Sequence, residues 1–257
     1  MYKYIIVSII FLVSYYNTAQ DNYPKISVEL GYNYQRTDMT KFNHHLDLIK
    51  TDVFKLDDRL DYVNNFKLAI KVKPISLFDF GVYFGNQQIT VERFPIQKKL
   101  NPDLTTTDVL GYHKNKITSL DIGFASTLYL DHFFKNDNRI LEKIYFGLDI
   151  QVGIGFSKYY SETHYNTFFP TSVGSAIRKA DGFQGQVGLS FEYSFFKVPF
   201  ITALGVRLGY QFYNTSSLED RFGIKWGDSN YEWTSADEEI NLDFSGIYYG
   251  VYLKIGK

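Results

Sequence analysis

Apolar residues stand at every second position over long stretches of this chain. In KIYFGLDIQVGIGFSK, from residue 143, the even positions Ile144, Phe146, Leu148, Ile150, Val152, Ile154 and Phe156 are apolar, and the odd positions hold Tyr145, Gly147, Asp149, Gln151, Gly153 and Gly155. A period of two is that of a β-strand with one apolar and one polar face. The pattern recurs from Lys25 (KISVELGYNYQ), Asn65 (NFKLAIKVK), Phe78 (FDFGVYFG), Leu120 (LDIGFASTLYL), Phe183 (FQGQVGLSFEYSF) and Phe200 (FITALGVRLGYQF). In the last segment, EINLDFSGIYYGVYLKIG, the apolar phase shifts from Ile240, Leu242 and Phe244 to Ile247, Tyr249, Val251, Leu253 and Ile255. That shift predicts a β-bulge near Ser245 and Gly246. Eight strands are expected in all.

The connections alternate in length. Residues 74–77 and 197–199 make short turns, and Asn136, Asp137 and Asn138 mark a moderate one. The other connections span residues 37–63, 92–116, 159–181 and 214–238. In the first of these, Leu46, Ile49, Val53, Leu56, Leu60 and Val63 recur at helical spacing, while Leu60, Tyr62, Asn64 and Phe66 continue the strand alternation. A longer second strand preceded by a short helical piece is expected there.

Period alone leaves open whether the apolar face meets protein or lipid, because a soluble sandwich or a lipocalin-like barrel alternates too. Four features favour lipid. Soluble strands usually hold about 5 or 6 residues. Thirteen residues at about 3.3 Å each and a tilt near 40° cover roughly 33 Å, enough for an apolar band of about 25 Å. Glycine falls on the polar face, at Gly31, Gly81, Gly123, Gly147, Gly153, Gly188, Gly205 and Gly209. It weakens a water-facing strand for no gain, but inside a narrow barrel it leaves room for long neighbours such as Lys67 and Arg207. Aromatics gather near strand ends, as at Tyr32 and Tyr34, Phe78 and Phe80, Phe195 and Phe200, and Tyr210 and Phe212, where the interfacial girdles of a membrane barrel lie. Short turns at one end and long loops at the other complete the pattern. The expected fold is all-β, a closed eight-stranded antiparallel transmembrane β-barrel with its polar face inside and both mature termini on the periplasmic side.

Composition adds an address. The first residues, MYKYIIVSIIFLVSYYNTAQ, carry one positive charge at Lys3, an apolar run from Ile5 to Val13 and a polar segment ending in Thr18, Ala19 and Gln20. The run is about half of the roughly 20 residues a spanning helix needs, and the layout is that of a secretory signal peptide. Residues 1–19 are read as a signal peptide and residues 20–257 as the barrel domain. The chain has no cysteine, which excludes disulfides, a lipid-modified N-terminal cysteine and any thiolate metal site. A formal charge of -1, with no basic block, gives no electrostatic footprint for nucleic acid.

From about Lys25 to Gly256 the chain resembles the eight-stranded outer-membrane barrels of the OmpA/OmpX type in its leader, hairpin plan, glycine-rich polar face and long loops. The resemblance implies the bacterial outer membrane as location, with outer-membrane lipid, lipopolysaccharide and the barrel-assembly machinery as partners. The family commonly ends in an aromatic residue that helps the assembly machinery recognise the last strand. Here Lys257 occupies that final outward slot after Tyr249, Val251, Leu253 and Ile255.

Membrane barrels of this kind include lipid A deacylases and acyltransferases that use Ser, His and an acidic residue. His44, His45, His113 and His164 fall in the expected outer loops and His132 in a turn, so none is expected beside a Ser and a carboxylate on a strand face. Ser161, Glu162 and His164 are too short-range a grouping to carry the chemistry. No cofactor and no metal site is expected: the adjacent His44 and His45 diverge, and Asp237, Glu238 and Glu239 lack the spacing of a calcium loop. The polar face carries Lys67, Asp121, Asp149 and Arg207 at similar depth when counted from the short-turn ends. Two cations and two anions in so narrow an interior predict a hydrogen-bonded plug. Trp226, Tyr231 and Trp233 in the last loop are candidates for surface contact. The expected role is a non-enzymatic barrel acting through its surface loops, with a narrow pore for small solutes or a lipid A-modifying enzyme as alternatives.

Overall fold

A computed structural model describes residues 26–48, 60–94, 96–101, 103, 105–130, 143–165, 172–195, 200–219 and 240–256. In chain order the elements are β1 (Ile26–Arg36), α1 (Thr40–Leu48), β2 (Tyr62–Ile75), β3 (Phe78–Arg93), β4 (Ile96–Leu100), β5 (Thr106–Leu110), β6 (Tyr112–Tyr129), β7 (Ile144–Tyr165), β8 (Ser172–Ser194), β9 (Ile201–Ser217), β10 (Asn241–Asp243) and β11 (Gly246–Gly256). Strands β1, β2, β3, β6, β7, β8, β9 and β11 pair antiparallel in succession, and β11 pairs back with β1, closing a ring of eight. The short β10 adds to β9, and β4 with β5 forms a separate hairpin.

The register sets the shape. Followed pair by pair, Ser27 leads through Lys71, Gly81, Ala125, Gln151, Gln186 and Gln211 to Gly246, whereas Ser27 itself faces Gly256. The difference is a stagger of ten residues around eight strands. With about 3.3 Å per residue and about 4.8 Å between strands, it tilts the strands by roughly 40°.

Burial follows the alternation and decides which face is which. On β3, Phe84 is 46% exposed while its neighbour Tyr83 is fully buried, so the apolar set forms the outer surface. A belt of exposed Leu, Ile, Val and Phe this continuous is the contact surface of a bilayer-spanning barrel. Its upper edge runs through Phe66, Phe84, Leu120, Phe156, Phe183 and Phe212. The next outward residues turn polar, at Asn64, Asn86, Thr118, Lys158, Asp181 and Asn214.

Three expectations change. Most of 159–181, and the ends of 92–116, are paired strand standing beyond the belt, and 92–116 also carries the β4–β5 hairpin. The lipid-facing period vanishes there because the outward face has passed the apolar belt and turns polar, while inward Tyr159 and Ala180 pack under the cap. The helical piece expected before the second strand is present at Thr40–Leu48, with residues 49–59 outside the described residues, and Met39 just before it and Phe42 within it are buried among barrel side chains. His113 and His164 therefore lie on strands rather than in loops. The phase shift near Ser245 is not a bulge: Asp243 faces Asn214 and Gly246 faces Gln211 in one register. The apolar phase changes because Ile240, Leu242 and Phe244 are buried at the outer mouth while Ile247, Tyr249 and Val251 face outward. The register shift lies between Asn241 and Asp243, and a side chain on Gly246 would collide with the Arg36 carbonyl. The leader, His132, Trp226, Tyr231, Trp233 and Lys257 lie outside the described residues.

Candidate functional site

The inward face builds a column of polar side chains. At the short-turn end, Lys254 Nζ donates to Glu192 Oε1 at 2.5 Å and lies 3.6 Å from Asp79 Oδ2, which also accepts from Tyr129 Oη at 2.8 Å. One layer up, Lys71 Nζ lies 3.4 Å from Asp79 Oδ1 and 3.2 Å from Glu29 Oε2, and donates to Thr127 Oγ1 at 2.8 Å. Arg207 donates to Glu29 Oε1 and stacks with its guanidinium 4.1 Å from the Tyr252 ring centre. Glu192, Lys254, Asp79, Lys71, Glu29 and Arg207 thus alternate in sign in one connected ladder, and none of these side chains is more than 7% exposed. Buried charges hold this way because each stands next to its opposite.

Above the ladder, amides and hydroxyls replace ions as partners. Asp149 accepts from Thr127 Oγ1 at 2.7 Å and Ser190 Oγ at 3.3 Å. Lys67 donates to Gln151 Oε1 at 2.6 Å and to Gln186. Gln211 joins Gln87, Gln184 and Gln186. Tyr213 Oη then sits between Ser119 and Ser157 at 2.8 and 2.9 Å, and a side chain on Gly155 would collide with that hydroxyl. The outer mouth is apolar. Met39, Phe42, Leu60, Ile117, Leu242 and Phe244 are each at most 1% exposed, with Phe42 edge-on to Tyr159 at 5.1 Å and Tyr213 stacked on Phe244 at 5.0 Å. Backbone and side-chain bonds tie this cap down, including Asp38 N to Ser245 O at 2.9 Å and Leu60 N to Asn43 Oδ1 at 3.0 Å. At the opposite mouth a cavity of about 30 Å³, room for one water, lies among Asp79, Tyr129, Tyr145, Glu192 and Lys254.

Lys67, Asp121, Asp149 and Arg207 all face the lumen and are at most 5% exposed. They do not pair with one another: Arg207 takes Glu29, Lys67 takes two glutamines, and Asp121 accepts from Gln87 Nε2 at 3.4 Å. Glu29, Lys71, Asp79, Glu192 and Lys254 escaped the sequence reading of the charge cluster, although each lies on the polar side of an alternating segment.

Beyond the belt, His164 Nε2 lies 2.8 Å from Glu162 Oε1, and Tyr160 Oη donates to Glu162 Oε2 at 2.7 Å. These hydrogen bonds hold the Glu162 carboxyl below the usual carboxylate range. His113 Nδ1 lies 2.8 Å from Thr163 Oγ1, and His44 is exposed on α1. Ser161 alternates to the opposite face of β7 from Glu162 and His164, so those three do not converge. Among the described residues no group of three or more His, Cys, Asp or Glu could hold a metal ion.

No family model and no curated protein sequence matches the chain. Solved structures similar to it include Ail, the attachment invasion locus protein of Yersinia pestis, in complex with the heparin analogue sucrose octasulfate, at 14% identity over 90% of this chain and 96% of that one, with a TM-score of 0.36. A major outer membrane protein from Thermus thermophilus matches at 12% identity over 89% and 99%, with a TM-score of 0.42. The outer membrane protease OmpT from Escherichia coli matches at 10% identity over 93% and 97%, with a TM-score of 0.32. Likeness of this degree carries nothing about activity. The closed ring of eight, the lipid-facing belt with its aromatic edge and the short-turn, long-strand asymmetry make the molecule an eight-stranded antiparallel transmembrane β-barrel of the kind that spans bacterial outer membranes.

Proposed function

We propose that the protein is a non-conducting, non-enzymatic outer-membrane barrel that works through the surface it presents outside the membrane, in envelope integrity, adhesion or partner binding. The observation that carries this reading is the double closure of the lumen. A ladder of buried ion pairs fills the lower part, and an apolar cap from α1, Leu60 and the segment 240–244 covers the outer mouth. An eight-stranded interior offers little more than the volume of its own side chains. Residues 1–19 direct export, the assembly machinery inserts the barrel, and Trp226, Tyr231 and Trp233 are the loop residues proposed for contact. In vesicle swelling assays with a small sugar, the purified protein is expected to give no swelling above empty vesicles. Swelling at porin-like rates would bring in the pore reading, and release or transfer of acyl chains on lipid A would bring in the enzyme.

A further inference from the structure

The apolar belt is not equally tall all round the barrel. A register line gains ten residues in one circuit of eight strands, so each step from β1 towards β11 raises the paired residue by about 1.25 residues, roughly 3 Å along the barrel axis. On that scale the last apolar outward residues stand lowest on β2 and β3, at Phe66 and Phe84, and highest on β7 and β8, at Phe156 and Phe183. Phe156 lies about 4.5 residues, roughly 11 Å, above Phe84. The lower edge stays level. Val72 and Phe78 on the short side and Phe146 and Tyr193 on the tall side fall within about one residue of one another. The belt is therefore a wedge.

Polar residues take the place of the missing part. Counted the same way, Arg36 stands level with Phe183, Asn64 with Phe212, Asn86 with Ile154 and Gln88 with Phe156, and these four polar residues are exposed on the outward face. In a bilayer of even thickness they would sit in hydrocarbon, where an amide or guanidinium away from water is costly. Tilting the barrel does not release them, because a tilt lifts both edges of one side together and the lower edge is level. We infer that the barrel holds the bilayer thin beside β1, β2 and β3, where the outer headgroups come down to Phe66 and Phe84, while the lipid beside β7 and β8 keeps its full thickness. A groove of about 620 Å³ lies on the same side, with Tyr32, Phe66, Leu68 and Phe84 among its walls. It follows the register line from Val251 through Tyr32, Phe66 and Asn86 to Leu120. That line runs at about 50° to the barrel axis, so a lipid chain lying along it spans only about two-thirds of its length across the membrane.

Because the chain has no cysteine, single cysteines can carry a nitroxide label in the otherwise native protein, folded into phosphatidylcholine vesicles. Asn86→Cys with Ile154→Cys, and Gln88→Cys with Phe156→Cys, make two pairs of equal height, and Val72→Cys with Phe146→Cys makes a third at the lower edge. Collision with oxygen, which concentrates in hydrocarbon, against collision with an aqueous nickel chelate reads the depth of each label. Labels at 86 and 88 should lie about 10 Å nearer the outer water than their partners at 154 and 156, and the lower pair should lie at one depth. Equal depth within both upper pairs means an even bilayer and overturns the inference. A lower pair offset as far as the upper ones assigns the difference to tilt and overturns it too. So does exclusion of both reagents from 86 and 88 with spin coupling between molecules, which would mean that a second copy covers this wall. The double variant N86L/Q88L extends the belt and should cut the preference for folding into 12-carbon over 18-carbon lipid vesicles about tenfold; an unchanged preference counts against the wedge. Heat-modifiable gel migration reports whether each variant is folded, and vesicle swelling on the same preparations reports separately on the closed lumen.

Discussion

The barrel is closed twice, by opposite means. In the lower lumen, side chains borne on strands neutralise one another: Lys71 bridges Asp79 and Glu29, and Arg207 caps the series. At the outer mouth, Met39 and Phe42 at the start of α1, with Leu242 and Phe244 beside β10, pack as an ordinary apolar core. The difference follows from what surrounds each region. The lower lumen is walled by lipid, so its charges gain by pairing across the bore. The outer mouth stands toward water, where burying Phe and Leu is itself favourable. A ladder held on strands is part of the cooperative barrel, whereas a cap held by connecting segments can open locally.

The sharpest way to break that comparison is Arg207→Ala. It strips Glu29 of its strongest partner and should lower folding stability in lipid by about 3–5 kcal/mol. Denaturant titration checks this, and a loss below about 1 kcal/mol would mean that water already reaches the ladder. The comparison also requires that the polar face be the inside. Ile150→Arg, at mid-height on the lipid face, should cost about 2–4 kcal/mol of insertion into vesicles, while Gln88→Arg, above the belt, should cost little.

Cap changes should be smaller and local. Phe42→Ala removes the ring contact with Tyr159 and is expected to lower barrel stability by about 1 kcal/mol, with faster amide exchange concentrated in α1. Exchange spread through β1 to β11 would show that the cap belongs to the cooperative unit. The smallest effect concerns pH. Because His164 and Tyr160 hold Glu162 below the usual carboxylate range, its contribution is present above that range and is lost as pH falls through its depressed value. Amide protection factors at the outer ends of β6, β7 and β8, referred to the intrinsic exchange rate at each pH, should therefore fall on acidification, while the belt segments keep their protection.

The strands and their orientation were legible because a period of two survives wherever one face meets lipid and the other the lumen. The phase shift at Ser245 was legible, but it marks the passage from residues that close the outer mouth to residues that face lipid, not a bulge. Beyond Phe156 the period fades, so the outer parts of β7 and β8 read as loop. Lys67 and Arg207 were legible as lumen residues, yet their partners were not. Depth counted from the short-turn ends ignores the ring's stagger, which sets Arg207 against Glu29 and surrounds Lys67 with Gln151 and Gln186. The cap left only an ambiguous trace, since Ile240, Leu242 and Phe244 alternate like a lipid face, and Met39 comes from a connection whose place is fixed only after the ring closes.

Single-channel recording in a planar bilayer tests the closed lumen most directly. Purified, folded protein should insert without giving unitary current steps at any applied voltage the membrane tolerates. Reproducible, long-lived steps from the wild-type barrel would contradict the account, because a continuous aqueous path cannot coexist with both the ion-pair ladder and the apolar cap.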